Sequence, residues 1–436
     1  MAPKYRPPRG FRDTPPPLMI LKKRVLSVIE GVFERYGFDP LDTPALEYWE
    51  TLAGKYGEEA EGKLIWRFQD PLSGRWYALR YDLTVPMARF VASNPGIQLP
   101  FKRYHIGKVW RHEEPQRGRY REFTQCDADI VGSPYPEADA EIVSLVIDIL
   151  DQLGFKDYIV RVNDRRILAG IFEEELSIAD PAPVYRAIDK LDKIGFDGVK
   201  RELSKLGLPN STVERIMEIV SWRGGPGEML SEIRRRYGSN RKVSEGASHL
   251  EELFNLVDSG RAVLDISLVR GLDYYTGPIL EVVVEGSGVG SVAGGGRYDR
   301  LIGMFGDRQL PATGVSIGVD RLIDAGINVG LFSVDRQTVT QIQVVVLDRE
   351  VYGYAWRVAR ELRRGGLRVR IDLGRLSPGV QRRKAAKAGI PLVAYVGVKE
   401  ASEGKVTLYS HHTGERVEVP IGKAVEAALE LLSRGD

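Results

Sequence analysis

The stretch from residue 102 to 129 constrains the fold more than any other part of this sequence. Apolar and polar residues alternate on both sides of a charged segment that contains Gly118, and this alternation predicts two paired β-strands. Four arginines surround that glycine: Arg111, Arg117, Arg119 and Arg121. Because guanidinium groups bind phosphate and carboxylate oxygens two at a time, the hairpin is a candidate anion-binding site.

Charge alone also allows a plainer interpretation of this hairpin. Its arginines could pair with Glu113, Glu114 and Glu122 on a solvated surface. The alternation favours a site, because it predicts that Arg111 and Gln125 lie on facing positions beside the turn. A guanidinium and an amide would then share one pocket floor.

Length and composition narrow the class of protein. The 436 residues exceed the usual size of one hydrophobic core, so we expect two or three domains. Apolar residues make up 43% and charged residues 28%, as in ordinary globular proteins. The formal net charge is only +2, so a surface that binds nucleic acid must be local.

Metal centres and targeting segments are not indicated. The single cysteine, Cys126, excludes an internal disulfide and a cysteine-rich zinc site, and we expect it to be buried and inert. The five histidines lack a ligand spacing, so we predict no structural metal. The N-terminus lacks the apolar core of a signal peptide, and no window reaches ~18 uninterrupted apolar residues, so we expect a cytoplasmic protein.

Periodicity outlines the elements around the arginine hairpin. Residues 18–36 have helical spacing and end at Gly37, and Pro136 to Leu153 predicts a second long helix. Between them, Pro40 and Pro44 favour an extended segment, and residues 66–84 predict another hairpin.

The rest of the chain divides into a helical insertion and a C-terminal domain. Residues from about 170 to 256 are rich in helical patterns and interrupt a β-rich catalytic domain that we assign to 1–335. Strand and helix alternate over 340–436, with helices expected at Tyr352 to Arg364 and near Gln381 to Ala388. We expect that domain to be α/β with a largely parallel sheet.

Two motifs are misleading. The HIGK string at His105 resembles the HIGH signature of class I synthetases, but it lies in a predicted antiparallel strand. The three glycines at 294–296 lack the following GK[ST] of a phosphate loop. Those glycines either admit a close approach of backbone to a ligand or helix, or form a plain tight turn.

The remaining candidate residues are spread over the first domain. Each also has a structural interpretation: Asp82 could cap a helix, the tyrosines could be core aromatics, and Arg321 could be a helix-surface charge. The candidates are Asp82 and Thr84 in RYDLT; Arg111, Arg119, Phe123, Gln125 and Asp129 in the hairpin; Arg270, Tyr274 and Tyr275 in VRGLDYYTG; and Arg321 in GVSIGVDRL.

Together these strings resemble the histidyl-tRNA synthetases, a family of class II aminoacyl-tRNA synthetases, over nearly the whole chain. RHEEPQRGRYREFTQ is similar to the family's motif 2, LVRGLDYYTG and GGGRYDRLI to its histidine signatures, and TGVSIGVDRL to motif 3. The Pro44 segment is similar to motif 1, the dimer-forming element. The resemblance implies an α+β catalytic domain, with a six-stranded antiparallel sheet flanked by helices and a helical insertion, plus a C-terminal α/β anticodon-binding domain.

The resemblance also implies a reaction. ATP activates histidine as an adenylate, and the histidyl group is then transferred to the 3′ end of the histidine tRNA. Arg270 and Arg111 would be catalytic at the α-phosphate, and Mg²⁺ would accompany ATP through ligands that the sequence does not identify. The implied ATP-binding residues are Arg111, Glu113, Arg119, Phe123 and Arg321.

The implied histidine site has two parts. An ammonium group needs acceptors such as Asp82, Thr84 and Gln125, and the imidazole needs a donor and an acceptor from Asp129 with Tyr274 or Tyr275. By resemblance the histidine-binding set is Asp82, Leu83, Thr84, Arg111, Gln125, Asp129, Arg270, Tyr274 and Tyr275. Many family members have glutamate where this chain has Asp129, and the aspartate is typical of an archaeal or eukaryotic-like branch.

The implied partners are the histidine tRNA and a second copy of the chain. The turn from Glu114 to Arg119 would contact the tRNA acceptor end, and a basic run from Arg357 to Lys384 could follow anticodon-stem phosphates or form a solvated helix face. Two alternatives are a non-catalytic regulatory paralogue of an ATP phosphoribosyltransferase and an RNA-binding protein on an inactive synthetase core. Retention of Arg111, Gln125, Arg270 and Arg321 disfavours both.

Overall fold

The structure is a computed structural model that describes residues 5–57, 60–115, 118–257, 259–269 and 274–434. It contains two compact units. The first comprises Arg24–Phe332 with the chain up to Asp13, and the second comprises the chain from Ser333 onward with Thr14–Lys23. No helix within the described ranges is long and apolar enough to cross a membrane.

The strands before residue 333 form two sheets. In chain order they are β1 (Asp39–Pro40), β2 (Leu46–Tyr48), β3 (Arg67–Gln69), β4 (Trp76–Leu79), β5 (Phe101–Trp110), β6 (Glu122–Val131), β7 (Tyr158–Asp164), β8 (Ala262–Leu264), β9 (Pro278–Val284), β10 (Ala293–Arg297) and β11 (Ala312–Gly318).

Among the described residues before residue 333 there are 11 α-helices. They are α1 (Pro16–Arg35), α2 (Trp49–Leu52), α3 (Thr84–Ser93), α4 (Pro136–Leu153), α5 (Arg165–Ala169), α6 (Ala182–Ile188), α7 (Leu191–Ser204), α8 (Asn210–Val220), α9 (Pro226–Tyr237), α10 (Arg241–Leu256) and α11 (Val319–Asn328).

The central sheet of the first unit is antiparallel except at its edges. Over the described residues its order is β1-β5-β6-β11-β10-β9-β7-β8. Each of the six strands from β5 to β7 in this order is antiparallel to its neighbours within the six. The short β1 pairs in parallel with β5, and the short β8 pairs in parallel with β7. The expected six-stranded antiparallel sheet is therefore present, with one parallel strand added at each edge.

The arginine hairpin is the β5–β6 pair, as its alternation predicts. The register pairs Trp110 with Glu122 and Gly107 with Gln125. The expectation that Arg111 faces Gln125 was wrong, because Arg111 lies one residue beyond the end of β5. Its backbone N–H donates instead to the carbonyl of Arg121, 3.0 Å away.

Helix ends follow their local sequence signals. The helix α4 begins with Pro136, whose fixed φ suits the first turn, and it ends at Gly154, which has a φ of 93°. Helices α5 to α10 fill the chain between β7 and β8, where the sequence predicts a helical insertion. Cys126 is buried on β6, as expected.

A separate three-stranded antiparallel sheet has the order β2-β4-β3. The β3–β4 pair is the second predicted hairpin, and β2 follows directly from the segment that contains Pro44. The three glycines at 294–296 are strand residues in β10 rather than a turn. A Cβ on Gly295 would lie 2.1 Å from the carbonyl oxygen of Gly314, so strand backbone makes the close approach there.

The second unit has a mixed sheet. Its strands are β12 (Ile342–Val346), β13 (Val369–Ile371), β14 (Leu392–Val396), β15 (Lys405–Ser410) and β16 (Arg416–Pro420), and its helices after residue 332 are α12 (Tyr352–Arg364), α13 (Pro378–Lys387), α14 (Val398–Glu403) and α15 (Ala424–Ser433).

The expectation of a largely parallel sheet in this unit was only half right. The order is β13-β12-β14-β15-β16, with β12 parallel to both β13 and β14. The strands β15 and β16 extend it in antiparallel fashion through a tight turn. Apolar side chains of α12 and α15 pack on the sheet and close the core.

Candidate active site

A cavity of about 320 Å³ lies over one face of the central sheet in the first unit. It brings together most of the residues that the sequence singled out. Those on its lining are Asp82, Thr84, Arg111, Glu113, Arg119, Phe123, Gln125, Asp129, Tyr274, Tyr275 and Arg321. Leu83 is not on the lining, and Arg270 lies outside the described residues.

Strand β6 forms the cavity floor. Successive side chains of a strand point to opposite faces, so Phe123, Gln125, Asp127 and Asp129 share the face toward the cavity. Neighbouring strand β11 leaves room for them with a glycine. A Cβ on Gly314 would lie 2.1 Å from Oδ1 of Asp129, so a larger residue there would displace that carboxylate.

Asp82 both caps a helix and lines the cavity. Its Oδ1 accepts hydrogen bonds from the N–H of Val85 at 3.0 Å, in the first turn of α3, and from the hydroxyl of Tyr56 at 2.9 Å. Tyr274 is 3.4 Å from the other oxygen. Burial raises the pKa of Asp82, although these hydrogen bonds oppose the rise.

Two buried side chains, Arg103 and Tyr298, contact the carboxylate of Asp129. Its Oδ2 lies 2.6 Å from the guanidinium of Arg103, which is fully buried, and the hydroxyl of Tyr298 donates to Oδ1. Arg103 also donates to the carbonyl of Leu83 at 3.2 Å, which places Leu83 behind the cavity wall. Arg103 therefore balances the charge of Asp129, although Oδ2 has no hydrogen bond of good geometry among the described residues.

Gln125 is buried between two glycines. The register places it opposite Gly107 on β5 and Gly318 on β11. Its side-chain carbonyl oxygen has no hydrogen-bond partner among the described residues. An unpaired buried acceptor costs about 1–3 kcal/mol, so this oxygen suits a donor from a ligand.

Arg111 also lines the cavity, close enough to Asp82 for an electrostatic interaction between the two charges. Its guanidinium lies over two aromatic rings, 4.4 Å from the centroid of Tyr81 and 5.2 Å from that of Phe123. Its Nε donates to the carbonyl of Tyr81 at 3.2 Å. The two rings fix the plane of the fork that faces the cavity.

Arg119 and Arg321 lie on the wall beyond Arg111. Arg119 is 3.4 Å from Glu113, so the plainer interpretation of the hairpin is right for this pair. Arg321 donates to the carbonyls of Gly118 at 2.9 Å and Ser291 at 3.2 Å, and thereby joins the hairpin turn to the segment just before β10. This contact makes Arg321 more than a helix-surface charge.

The other hairpin charges face away from the cavity. Arg121 donates to the carbonyl of Glu113 at 2.9 Å and helps to close the turn, whereas Arg117 lies outside the described residues. Glu114 pairs with Arg9, and Glu122 pairs with Lys108 at 2.6 Å.

The cavity lining thus has two chemically different sets of side chains, which meet where Arg111 interacts with Asp82. We call Asp82, Gln125, Asp127 and Asp129 the acidic end, and Arg111, Arg119 and Arg321 the arginine end. A ligand with an ammonium group at one end and phosphates at the other would match both. That is the charge pattern of an amino acid beside a nucleoside triphosphate.

Comparison with known proteins gives the same result. The model of the histidyl-tRNA synthetase family matches residues 10–322, and that of the anticodon binding domain matches residues 341–431. The chain belongs to the histidyl-tRNA synthetase family.

Individual relatives agree with this membership. The histidine–tRNA ligase of Aeropyrum pernix, an archaeal enzyme, is 71% identical over 98% of both chains. The cytoplasmic histidine–tRNA ligase of Arabidopsis thaliana is 40% identical over 92% of this chain and 46% of its own. The crystal structure of the histidyl-tRNA synthetase of a Nostoc species is 30% identical, covers 99% of both chains and has a TM-score of 0.85. The predicted archaeal and eukaryotic-like branch is confirmed.

For a histidyl-tRNA synthetase, the sequence interpretation missed three side chains of the site. Asp127 lies between Gln125 and Asp129 on the cavity floor, Tyr298 binds Asp129, and Tyr56 binds Asp82. The strand period was sufficient to place Asp127 on the floor. Tyr298 belongs to the quoted GGGRYDRLI signature, whereas no sequence pattern marks Tyr56.

The described residues of this synthetase contain no group of three or more histidines, cysteines or carboxylates that could hold a metal ion. Glu113, on the cavity lining, is already paired with Arg119. The side chains alone do not form a magnesium site, and Mg²⁺ would have to take most of its ligands from ATP phosphates and water.

Proposed function

We propose that this protein, a histidine–tRNA ligase by family, binds histidine at the acidic end and ATP at the arginine end of this one cavity. The observation that carries the proposal is the pairing of buried, partly unsatisfied acceptors with a guanidinium fork across a single space. In the first step a histidine carboxylate oxygen attacks the α-phosphorus and pyrophosphate leaves.

The first step needs positioning rather than proton transfer. A carboxylate is ionised near neutral pH, so it attacks without a general base. Arg111 would bind the α-phosphate and the carboxylate together, because its fork can donate to both. Negative charge that develops on the phosphoryl oxygens is then stabilised by a group already held in place by Tyr81 and Phe123.

The other roles follow from position. Arg119 and Arg321 would bind the outer phosphates of ATP beside Glu113, and Phe123 would stack on adenine. Asp82, Thr84 and Gln125 would accept the ammonium hydrogens, while Asp129, Tyr274 and Tyr275 would surround the imidazole. Arg270 would approach the α-phosphate from the opposite side. Mg²⁺ would accompany ATP, and we derive no step through it.

Histidine-dependent exchange of labelled pyrophosphate into ATP tests this assignment. We expect exchange with histidine and background rates with the other amino acids, since a pocket of buried polar groups discriminates by roughly 10⁴ or more against side chains that leave them unpaired. Folded protein without exchange would overturn the assignment and favour the regulatory-paralogue alternative.

We also propose that the protein is a homodimer through the β2-β4-β3 sheet. One face of this sheet exposes Leu46, Tyr48 and Phe68 by 40% to 47%, and the stacked rings of Tyr48 and Tyr77 are 5.3 Å apart. Such an apolar patch favours a protein partner. Light scattering should give twice the chain mass, and Phe68→Asp should give a folded monomer.

Two further assignments rest on the relatives. We infer that the second unit contacts the anticodon of the histidine tRNA, as the name of its family model suggests. We place the protein in the cytoplasm, in line with the name of the Arabidopsis relative.

A further inference from the structure

Arg165 contacts both flanks of the segment that carries Arg270, the proposed catalytic residue. It is the first residue of α5 and directly follows β7. Its guanidinium donates to the carbonyl of Val269 at 3.2 Å, and its backbone N–H donates to the carbonyl of Gly277 at 3.0 Å. Arg270 follows Val269 in the sequence and lies outside the described residues, whereas both flanks are described. One residue therefore ties the chain before Arg270 to the chain after Tyr275.

The junction between β7 and α5 fixes the backbone of Arg165. The register of β7 with β9 pairs Asp164 with Pro278, and the N–H of Arg165 continues this ladder to Gly277. The carboxylate of Asp164 then caps α5 by accepting a hydrogen bond from the N–H of Arg166 at 2.8 Å. The backbone of Arg165 is thus held by the sheet on one side and by the helix cap on the other.

The side chain of Arg165 is held as well. Its guanidinium lies 5.4 Å from the ring centroid of Tyr185, on α6 of the helical insertion, which is within the range of a cation–π interaction. The ring of Tyr185 lies 5.8 Å from that of Phe172, and its hydroxyl is 3.5 Å from Glu173. A planar guanidinium placed against a ring loses little freedom when it binds a carbonyl. Arg165 is therefore a preorganised donor for Val269.

Neighbouring side chains of β7 hold the residues just before Val269. Asn163 is fully buried and donates to the carbonyls of Ile266 at 3.3 Å and Leu268 at 2.9 Å. Arg161 pairs with Asp265 at 2.5 Å. Positions 161, 163 and 165 follow the strand period of two. Their contacts together fix the chain from 265 to 269, and Leu268 in this stretch lines the cavity.

We propose that Arg165 is a positioning residue for the guanidinium of Arg270. The inference rests on the proposed function, because it takes Arg270 to stabilise charge on the α-phosphate. The hydrogen bond to Val269 fixes the chain one residue before Arg270, and a group misplaced by about 1 Å at a reacting centre can cost ~100-fold in rate. Arg165 is not on the cavity lining, so it acts through Arg270 rather than by contact with ATP or histidine.

The test is the rate constant of adenylate formation in a single turnover, at saturating enzyme and histidine with limiting labelled ATP. This constant does not depend on the folded fraction of the protein. Arg165→Met keeps the length of the side chain and removes its donors, so the rate constant should fall roughly 10- to 100-fold. The dissociation constants of ATP and histidine should stay within about twofold, because the residues assigned to them are unchanged. Arg165→Lys retains a donor for the Val269 carbonyl and should recover most of the lost rate.

Arg166→Met is the matched control. The guanidinium of Arg166 pairs with the buried Asp164 at 2.6 Å in the same turn of helix. This variant loses an ion pair but keeps the hydrogen bond from Arg165 to Val269, so its rate constant should stay within about twofold of the wild type. Equal losses in Arg165→Met and Arg166→Met would overturn the inference, because the fold of the junction would then support the reaction.

A double-mutant cycle with Arg270→Ala identifies the residue through which Arg165 acts. Arg270→Ala alone should slow adenylate formation by roughly 10²- to 10³-fold. Adding Arg165→Met should then change the rate constant by less than about twofold, because the guanidinium that Arg165 positions is gone. Losses that multiply would overturn the inference and leave the proposed function intact. Wild-type protein without histidine-dependent exchange, or Arg270→Ala with the wild-type rate, would overturn the proposed function and the inference with it.

Discussion

The acidic end and the arginine end of the cavity differ in how their polar groups are satisfied. At the acidic end, side chains are buried, and the side-chain carbonyl oxygen of Gln125 has no partner among the described residues. At the arginine end, side chains are partly exposed, and Arg119 and Arg321 already contact Glu113 and backbone carbonyls. A buried acceptor without a partner selects ligands that supply a matching hydrogen-bond donor. A partly exposed guanidinium group binds phosphate mainly by charge and discriminates less.

The largest effect should come from the arginine end. Arg111→Ala removes the fork that stabilises charge on the reacting phosphate, so the rate of pyrophosphate exchange should fall roughly 10²- to 10³-fold. Arg121→Ala is the matched control, because Arg121 closes the same turn but faces away from the cavity. Equal losses in both variants would mean that the hairpin fold, not the guanidinium of Arg111, supports the reaction.

The next largest effect should be a loss of folding stability when a carboxylate of the acidic end is removed. Asp129→Asn leaves the fully buried guanidinium of Arg103 without its counter-charge, which should lower the free energy of unfolding by about 3 kcal/mol. Chemical denaturation of the variant and the wild type at pH 8 measures this difference in the free energy of unfolding. Asp127→Asn, on the same strand but without such a pair, should not be destabilised at this pH. A stable Asp129→Asn variant would contradict the assigned ion pair.

The pH dependence of stability should separate two buried groups that titrate in opposite senses. The raised pKa of Asp127, about 7, lets the folded state bind more protons than the unfolded state between pH 4 and 7, so stability falls as pH rises. Burial lowers the pKa of His105 to about 4, so its contribution rises over pH 4 to 6.5.

These two contributions, each roughly 2 kcal/mol between pH 5 and 7, should nearly cancel in the wild type. Asp127→Asn removes one of them, so its unfolding free energy should increase from pH 5 to 7 relative to the wild type. The same pH profile in both proteins would show that Asp127 is ionised throughout this range.

A similar effect, of about 1.5–3 kcal/mol, should appear in histidine binding. Gln125→Leu removes the unpaired carbonyl that we assign to the ammonium group, so the KM for histidine should rise roughly 10- to 100-fold. The KM for ATP should not change. A rise in both constants would argue against the division of the cavity into two independent ends.

The smallest effect should lie in the second unit. Arg360 is exposed on α12, and Arg360→Ala should weaken tRNA binding by less than ~1 kcal/mol and reduce the slope of log affinity against log salt by about one. Arg363→Ala is the control, since Arg363 donates to the carbonyl of Val369 within its own domain. An unchanged salt slope would remove Arg360 from the RNA-contacting surface.

Local sequence patterns predicted the bounds of several helices well. Strand register and sheet topology depend on contacts between distant segments, and those predictions were less accurate. The helices from Pro136 to Leu153 and from Tyr352 to Arg364 begin and end as their periodicity indicates. The expected register of the arginine hairpin was wrong, because the strands stay paired as far as Trp110 and Glu122 and the turn is shorter than a pairing of Arg111 with Gln125 requires. The antiparallel half of the second sheet was not foreseen.

The same limit applies to the cavity. The motifs identified Asp82 and Asp129 but not their partners Tyr56 and Arg103, which come from other segments of the chain. Alternation alone places Asp127 on the floor, yet only the structure shows that Arg103 and Tyr298 contact Asp129. Partner occupancy depends on tertiary packing, so it cannot be derived from strand period.

Aminoacylation of the histidine tRNA by the wild-type protein, measured with each amino acid in turn, tests the central claim most directly. The account predicts that histidine alone is attached, that attachment requires ATP, and that pyrophosphate is released with it. Efficient attachment of another amino acid, or none by folded protein with ATP and histidine present, would contradict it.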